Sequence, residues 1–109
     1  MSQFDVHKNA GKNAEAIPFV VVVQSAAFDD RRSRIVVPLV RTEKASANVG
    51  MVPSRLNPTF TVNDIRVTLH ALQVVSVPLD ALGKKVGSLT QEGDAIIDAL
   101  DEVFSRAYG

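Results

Sequence analysis

Apolar and polar positions follow two periods along this chain, a period of two over roughly the first eighty residues and a helical one over the last twenty. Residues 4–7 (FDVH) alternate apolar and polar and predict a half-buried strand. The polar stretch 9–15 (NAGKNAE) reads as a turn. Residues 17–24 (IPFVVVVQ) are apolar on both faces and rich in β-branched side chains, which predicts a strand covered on both sides, with Pro18 confined to its start or to an edge. A charged turn at 29–33 leads into a second apolar strand, 34–40 (RIVVPLV), and the two strands should pair as a hairpin. Alternation returns after residue 58. Phe60 and Val62 share a face, Asn63-Asp64 makes a turn, and Ile65, Val67 and Leu69 line the returning strand. Residues 72–77 predict a further strand that stops at Pro78, and 79–83 one helical turn closed by Gly83. The segment 41–57 stays unassigned, with helix-tolerant residues at 43–47 followed by Pro53 and Pro58.

The last element is the clearest. Thr90 is a candidate N-cap, Glu92 and Asp94 put negative charge in the first turn where the helix dipole favours it, and Ile96, Ile97, Leu100, Val103, Phe104 and Ala107 form an apolar stripe. Asp94, Asp98, Asp101 and Glu102 face away from that stripe. The predicted class is mostly β with a C-terminal α-helix laid on an antiparallel sheet, one domain over residues 1–109.

Length and composition narrow the classes. At 109 residues with 46% hydrophobic side chains, one core can form but not two. With no cysteine, disulfides, thiolate catalysis and Cys-ligated zinc are excluded. No apolar run approaches the roughly 18–20 residues that span a bilayer, and residues 1–5 carry no basic segment followed by an apolar one, so the cytoplasm is the expected location. Net charge is zero, which argues against nucleic acid as a direct ligand, but the zero is a sum of opposed regions. Between residues 25 and 66 seven Lys and Arg face four acidic residues; from residue 91 onward five acidic residues face Arg106 alone.

Candidate chemistry is sparse. His7 and His70 each sit in a strand pattern with no second ligand at metal-site spacing, and read as structural histidines. Residues 83–87 (GKKVG) lack the spacing and the Ser/Thr of a phosphate loop and read as a surface turn. No G-x-S-x-G nucleophile elbow occurs. The helix acids read as a solvated face, so neither a metal nor another cofactor is expected. These residues favour a binding protein over an enzyme.

The order of segments resembles the CcdB-type toxins of bacterial toxin–antitoxin modules. The resemblance rests on Gln3-Phe4-Asp5-Val6, on Val23-Gln24-Ser25 followed by Asp29, on Val37-Pro38-Leu39, on Ser76-Val77-Pro78 and on the helix ending Leu100-Asp101-Glu102-Val103-Phe104, all collinear. It implies an SH3-like small β-barrel, a homodimer without a catalytic site, binding to the DNA gyrase A subunit that traps gyrase on cleaved DNA, and a neutralising antitoxin. It also implies a gyrase contact: Phe104 matches the helix-end Phe, Asp101 a polar helix residue, and Ala27 and Phe28 an apolar pair after the V-Q-S triplet. The family has Phe-Trp-Gly-Ile at this point. Here Ser105 stands where the tryptophan is expected and no tryptophan occurs in the chain. Either Tyr108 and Gly109 replace the lost aromatic–glycine pair one turn further on, since Tyr108 shares the helical face of Phe104, or the protein binds gyrase weakly, binds another target or is inactive. The same barrel also resembles the MazF/Kid-type endoribonucleases, for which His7, Arg55, Asp64 and Arg66 are the candidate residues.

Overall fold

A computed structural model describes residues 2–49 and 51–105, the side chains of 46–49 and 105 excepted. Seven strands form one antiparallel sheet: β1 (Asp5–Asn9), β2 (Phe19–Val22), β3 (Ser33–Arg41), β4 (Thr59–Val62), β5 (Ile65–Leu69), β6 (Val75–Pro78) and β7 (Leu82–Ser88). Two helices join them, α1 (Thr42–Val49) after β3 and α2 (Gly93–Ser105) at the end. The strand order is β4-β5-β3-β2-β1-β7, with β6 also paired to β3, and the sheet curls into a half-barrel.

The nine-residue β3 organises this topology because it changes partner along its length. Residues 33–36 pair with β6, and 39–41 pair with β5. Pro38 falls between the two. Its carbonyl accepts from His70 N–H at 3.0 Å, on the side where β3 exchanges β6 for β5. The N–H that proline lacks would point to that same gap, so a proline is tolerated inside a central strand without costing a ladder bond.

Period-two patterning places Val6, Val21, Val37, Leu39, Val67 and Leu69 in one buried cluster with Ile96 and Ala99 of α2. The β2–β3 and β4–β5 hairpins pair as expected, the second through a turn at Asn63-Asp64 where both residues have positive φ. A smaller cluster of Val40, Ala45 and Met51 covers the side where α1 meets the sheet, with Ile17 packed against it.

Five expectations need correction. Residues 83–87 are not a surface turn but the middle of β7, hydrogen-bonded to β1. A Cβ on Gly83 would lie 2.5 Å from the Lys8 carbonyl oxygen, so this glycine admits a close backbone approach at an irregular register. It does not close a helical turn; the 3₁₀ turn Leu79–Ala81 ends at Leu82. Strand β6 begins at Val75, because Ala71–Gln73 forms another 3₁₀ turn. Thr90 does not cap α2 with its side chain: Thr90–Glu92 is a 3₁₀ turn leading into the helix, and Ser88 Oγ accepts from Thr90 N–H at 3.2 Å.

The fifth correction concerns the α2 stripe. Ile96 and Ala99 are fully buried, with Leu100 and Val103 packed on the same cluster, whereas Ile97 is 39% and Phe104 62% exposed. At about 100° per residue, Ile97, Asp101 and Phe104 (i, i+4, i+7) form a flank beside the buried face rather than part of it. Asp94, Asp98 and Asp101 are exposed as expected; Glu102 is half-buried and ion-paired to Arg55 at 3.5 Å. Ala107 lies outside the described residues.

Candidate interaction site

Two elements present large apolar side chains to water at the positions in question. One is the 3₁₀ turn Ala26–Phe28 between β2 and β3, exposed throughout, with Phe28 50% exposed. It folds because the residues before it supply the polar partners its backbone needs. Ser25 Oγ accepts from Ala27 N–H at 3.2 Å, the arrangement of a helix N-cap, and Ser25 O accepts from Phe28 N–H at 3.0 Å. Gln24 bridges the two strand ends. Its amide donates to Phe28 O at 3.0 Å and Ser33 O at 3.4 Å, while its Oε1 accepts from Ile35 N–H at 3.2 Å. The V-Q-S triplet therefore has a physical content: a core valine just past the end of β2, a glutamine that clamps the loop, and a serine that caps the turn.

The other element is the exposed flank of α2, with Ile97, Asp101 and Phe104. Its anchor is at the helix start. Phe4, at φ 70°, donates to Val22 O and accepts from Leu89 N–H at 2.8 Å, and its ring packs where a Cβ on Gly93 would sit, 2.7 Å from Phe4 Cε2. Glycine at the first residue of α2 thus allows the helix to lie against Phe4. Further along, the Arg55–Glu102 pair ties α2 to the 51–58 segment, which Asn57 Nδ2 fixes to Leu69 O at 3.0 Å.

Of the residues picked out for gyrase contact, Ala27, Phe28, Asp101 and Phe104 are exposed. The backbone of Ser105 is the last residue of α2. Tyr108 and Gly109 lie outside the described residues.

The endoribonuclease set is scattered. Asp64 and Arg66 line a cleft of about 260 Å³ with Arg41 and Glu43, and Arg66 donates to Thr59 Oγ1 at 2.7 Å. Arg55 is paired to Glu102. His7 is buried on β1, separated from β5 by β2 and β3, and its Nδ1 lies 2.9 Å from Gly83 O, to which it donates. His7 is therefore the hydrogen-bonded structural histidine that its strand position suggests. His70 is half-buried and lines a cleft with Ala16, Ile17, Val40 and Ala45. Desolvation by burial lowers its pKa, partly offset by a backbone hydrogen bond.

The residues that build the turn, Gln24 and Arg34, were not picked out as functional. Arg34 was visible only as one member of a basic segment, yet it is 3% exposed and faces main-chain carbonyls. Adjacent apolar residues on a helix look alike in sequence, so spacing alone puts Ile97 on the buried stripe, where the structure leaves it 39% exposed.

The chain matches the family model for CcdB protein over residues 3–105. It belongs to the CcdB family. That makes it a toxin of the toxin–antitoxin kind, and the CcdB match spans both Phe28 and Phe104. No curated protein matches the chain. None of the helices among the described residues is long and apolar enough to cross a membrane.

Proposed function

We propose that this protein binds the A subunit of DNA gyrase and traps the enzyme on cleaved DNA, acting by protein–protein contact and not by catalysis. The Ala26–Phe28 turn and the Ile97–Phe104 flank of α2 are the binding surface. In this reading residues 1–109 are one toxin domain that works in the cytoplasm as a homodimer, needs no cofactor, touches neither nucleic acid nor membrane directly, and is neutralised by a cognate antitoxin.

The observation that carries the reading is the state of two phenylalanines inside the span of the family match. Both are half or more in water, though each sits on an ordered element, and exposed aromatics on a pre-formed surface are typical anchors of an interface. Asp101 beside Phe104 supplies a polar contact, and the acidic faces of α2 complement a basic partner. An endoribonuclease needs Arg, His and Asp converging on one phosphate, and the scatter of His7, Arg55 and Asp64 with Arg66 gives that reading less support.

A supercoiling assay with purified gyrase tests the proposal. The protein should inhibit supercoiling and accumulate a cleavage complex at micromolar concentration, and Phe28→Ala or Phe104→Ala should each weaken this by about tenfold or more, the usual cost of losing an aromatic anchor. Absence of inhibition by the wild-type protein rejects gyrase as the target. Full inhibition by Tyr108→Ala removes Tyr108 from the site.

A further inference from the structure

We infer that Arg34 is a positioning residue for Phe28, and that its guanidinium sets how this side chain is presented to a partner. The inference deepens the reading of Phe28 as a partner contact.

Arg34 opens the buried part of β3 and points back under the loop that precedes it. One terminal nitrogen donates to Arg31 O at 2.6 Å and to Ser33 O at 2.8 Å; the other donates to Asp29 O at 2.6 Å. The Asp29 carboxylate lies 3.7 Å from Nε and balances the charge of a guanidinium that is only 3% exposed. Three carbonyls of a five-residue loop thus converge on one side chain.

The loop is continuous with the turn that carries Phe28. Asp29 N–H donates to Ala26 O at 3.1 Å, and Arg31 N–H donates to Phe28 O at 3.1 Å, the same carbonyl that Gln24 holds from the strand side. Ala26 O and Phe28 O, on either side of the Phe28 side chain, are each one bond away from a residue that Arg34 fixes, while Phe28 N–H is held by Ser25 O. Phe28 has little burial of its own to orient it, so its direction is inherited from this network. An exposed anchor held in one orientation binds with a smaller loss of conformational entropy than one that must be ordered on contact.

The site needs arginine specifically. A planar fork can address three carbonyls in different directions, whereas an ammonium on a flexible stem keeps the charge but not the geometry. Arg34→Lys therefore separates the positioning role from charge neutralisation.

Fluorine NMR of protein labelled with fluorophenylalanine reads this without any partner, the Phe28 line being assigned with Phe28→Leu. In Arg34→Lys and Arg34→Met the Phe28 line should move towards the solvent-exposed, averaged position, while the lines of buried Phe19 and Phe60 stay in place. An unmoved Phe28 line overturns the inference, as does an equal displacement of all phenylalanine lines, which would mark a general loss of structure. If Arg34→Met does not fold, Arg34→Lys decides. Affinity for the gyrase A subunit supplies the second arm. Arg34→Lys should weaken binding about tenfold in the wild-type background and less than about twofold in Phe28→Ala, since coupled residues are not additive. Equal weakening in both backgrounds overturns the coupling. A displaced Phe28 line in a protein that does not bind gyrase at all leaves Arg34 as the positioning residue and rejects gyrase as the partner.

Discussion

The two elements that display exposed phenylalanines are held by different forces. Helix α2 is fixed by burial: Ile96 and Ala99 are fully inside the cluster formed with the sheet, while Leu89 N–H on Phe4 O holds the segment leading into the helix and the Arg55–Glu102 ion pair ties its far end. The Ala26–Phe28 turn buries none of its residues and is fixed by side-chain-to-main-chain hydrogen bonds from Gln24, Ser25 and Arg34. Dispersion and hydrophobic burial are additive over area and tolerate small angular errors. Hydrogen bonds are directional and fail one at a time. Presentation of Phe104 should therefore track global stability, whereas presentation of Phe28 can be lost while the fold persists.

The largest test of this contrast is Ile96→Ala. Removing a fully buried side chain between helix and sheet should cost about 2–5 kcal/mol, the range for cavity-forming changes in a packed core. The expected outcome is a marked drop in thermal midpoint with the Phe28 resonance unmoved in the fraction that stays folded. A cost below about 1 kcal/mol would mean that α2 is seated by something other than this contact.

Ser25→Ala probes the other element and should have a smaller effect. Loss of an N-cap acceptor costs about 0.5–2 kcal/mol in a regular helix, and a single exposed 3₁₀ turn belongs at the low end. Thermal melting should change little, and hydrogen exchange at the Ala27 and Phe28 amides should accelerate. A large fall in the thermal midpoint would show that the turn is coupled to the core and would remove the contrast drawn above.

That same division decides what could be read from the sequence. Elements defined by apolar periodicity were legible: the two hairpins, the terminal helix and the mostly β class follow from spacing alone, because burial leaves its pattern in residue type. Polar and glycine positions carried less. Gly83 reads as a turn residue until Lys8 O is seen 2.5 Å from where its side chain would begin. Arg34 looks like any surface arginine, since nothing in its neighbours says that three carbonyls will converge on it. Helix α1 was not legible because Thr42 acquires its place from a hydroxyl contact with Thr68, 3.0 Å away and 26 residues distant. Phe28 and Phe104 were picked out through family resemblance; periodicity placed Phe104 in the core, and only the angle between Ile96 and Ile97 around the helix separates the buried face from the exposed flank.

The smallest expected effect is that of pH, and it too should fall on one side of the comparison. His70 precedes the Ala71–Gln73 turn, on which α2 packs, while neither histidine lies in the 24–34 segment. Desolvation holds the pKa of His70 below its ordinary value of 6.5 in the folded protein, so the unfolded chain takes up a proton first as pH falls. The contribution of His70 to stability is therefore complete above about pH 6.5 and is lost as pH falls through the lower, folded-state pKa. Half-burial keeps the effect small. Thermal midpoints at about pH 7.5 and about pH 5.5 should differ less in His70→Gln than in the wild type, with the Phe28 resonance the same at both. An unchanged pH dependence in His70→Gln would assign the titration elsewhere, and a pH-dependent Phe28 line would mean that the two elements share more of their support than their separate hydrogen-bond and packing networks imply.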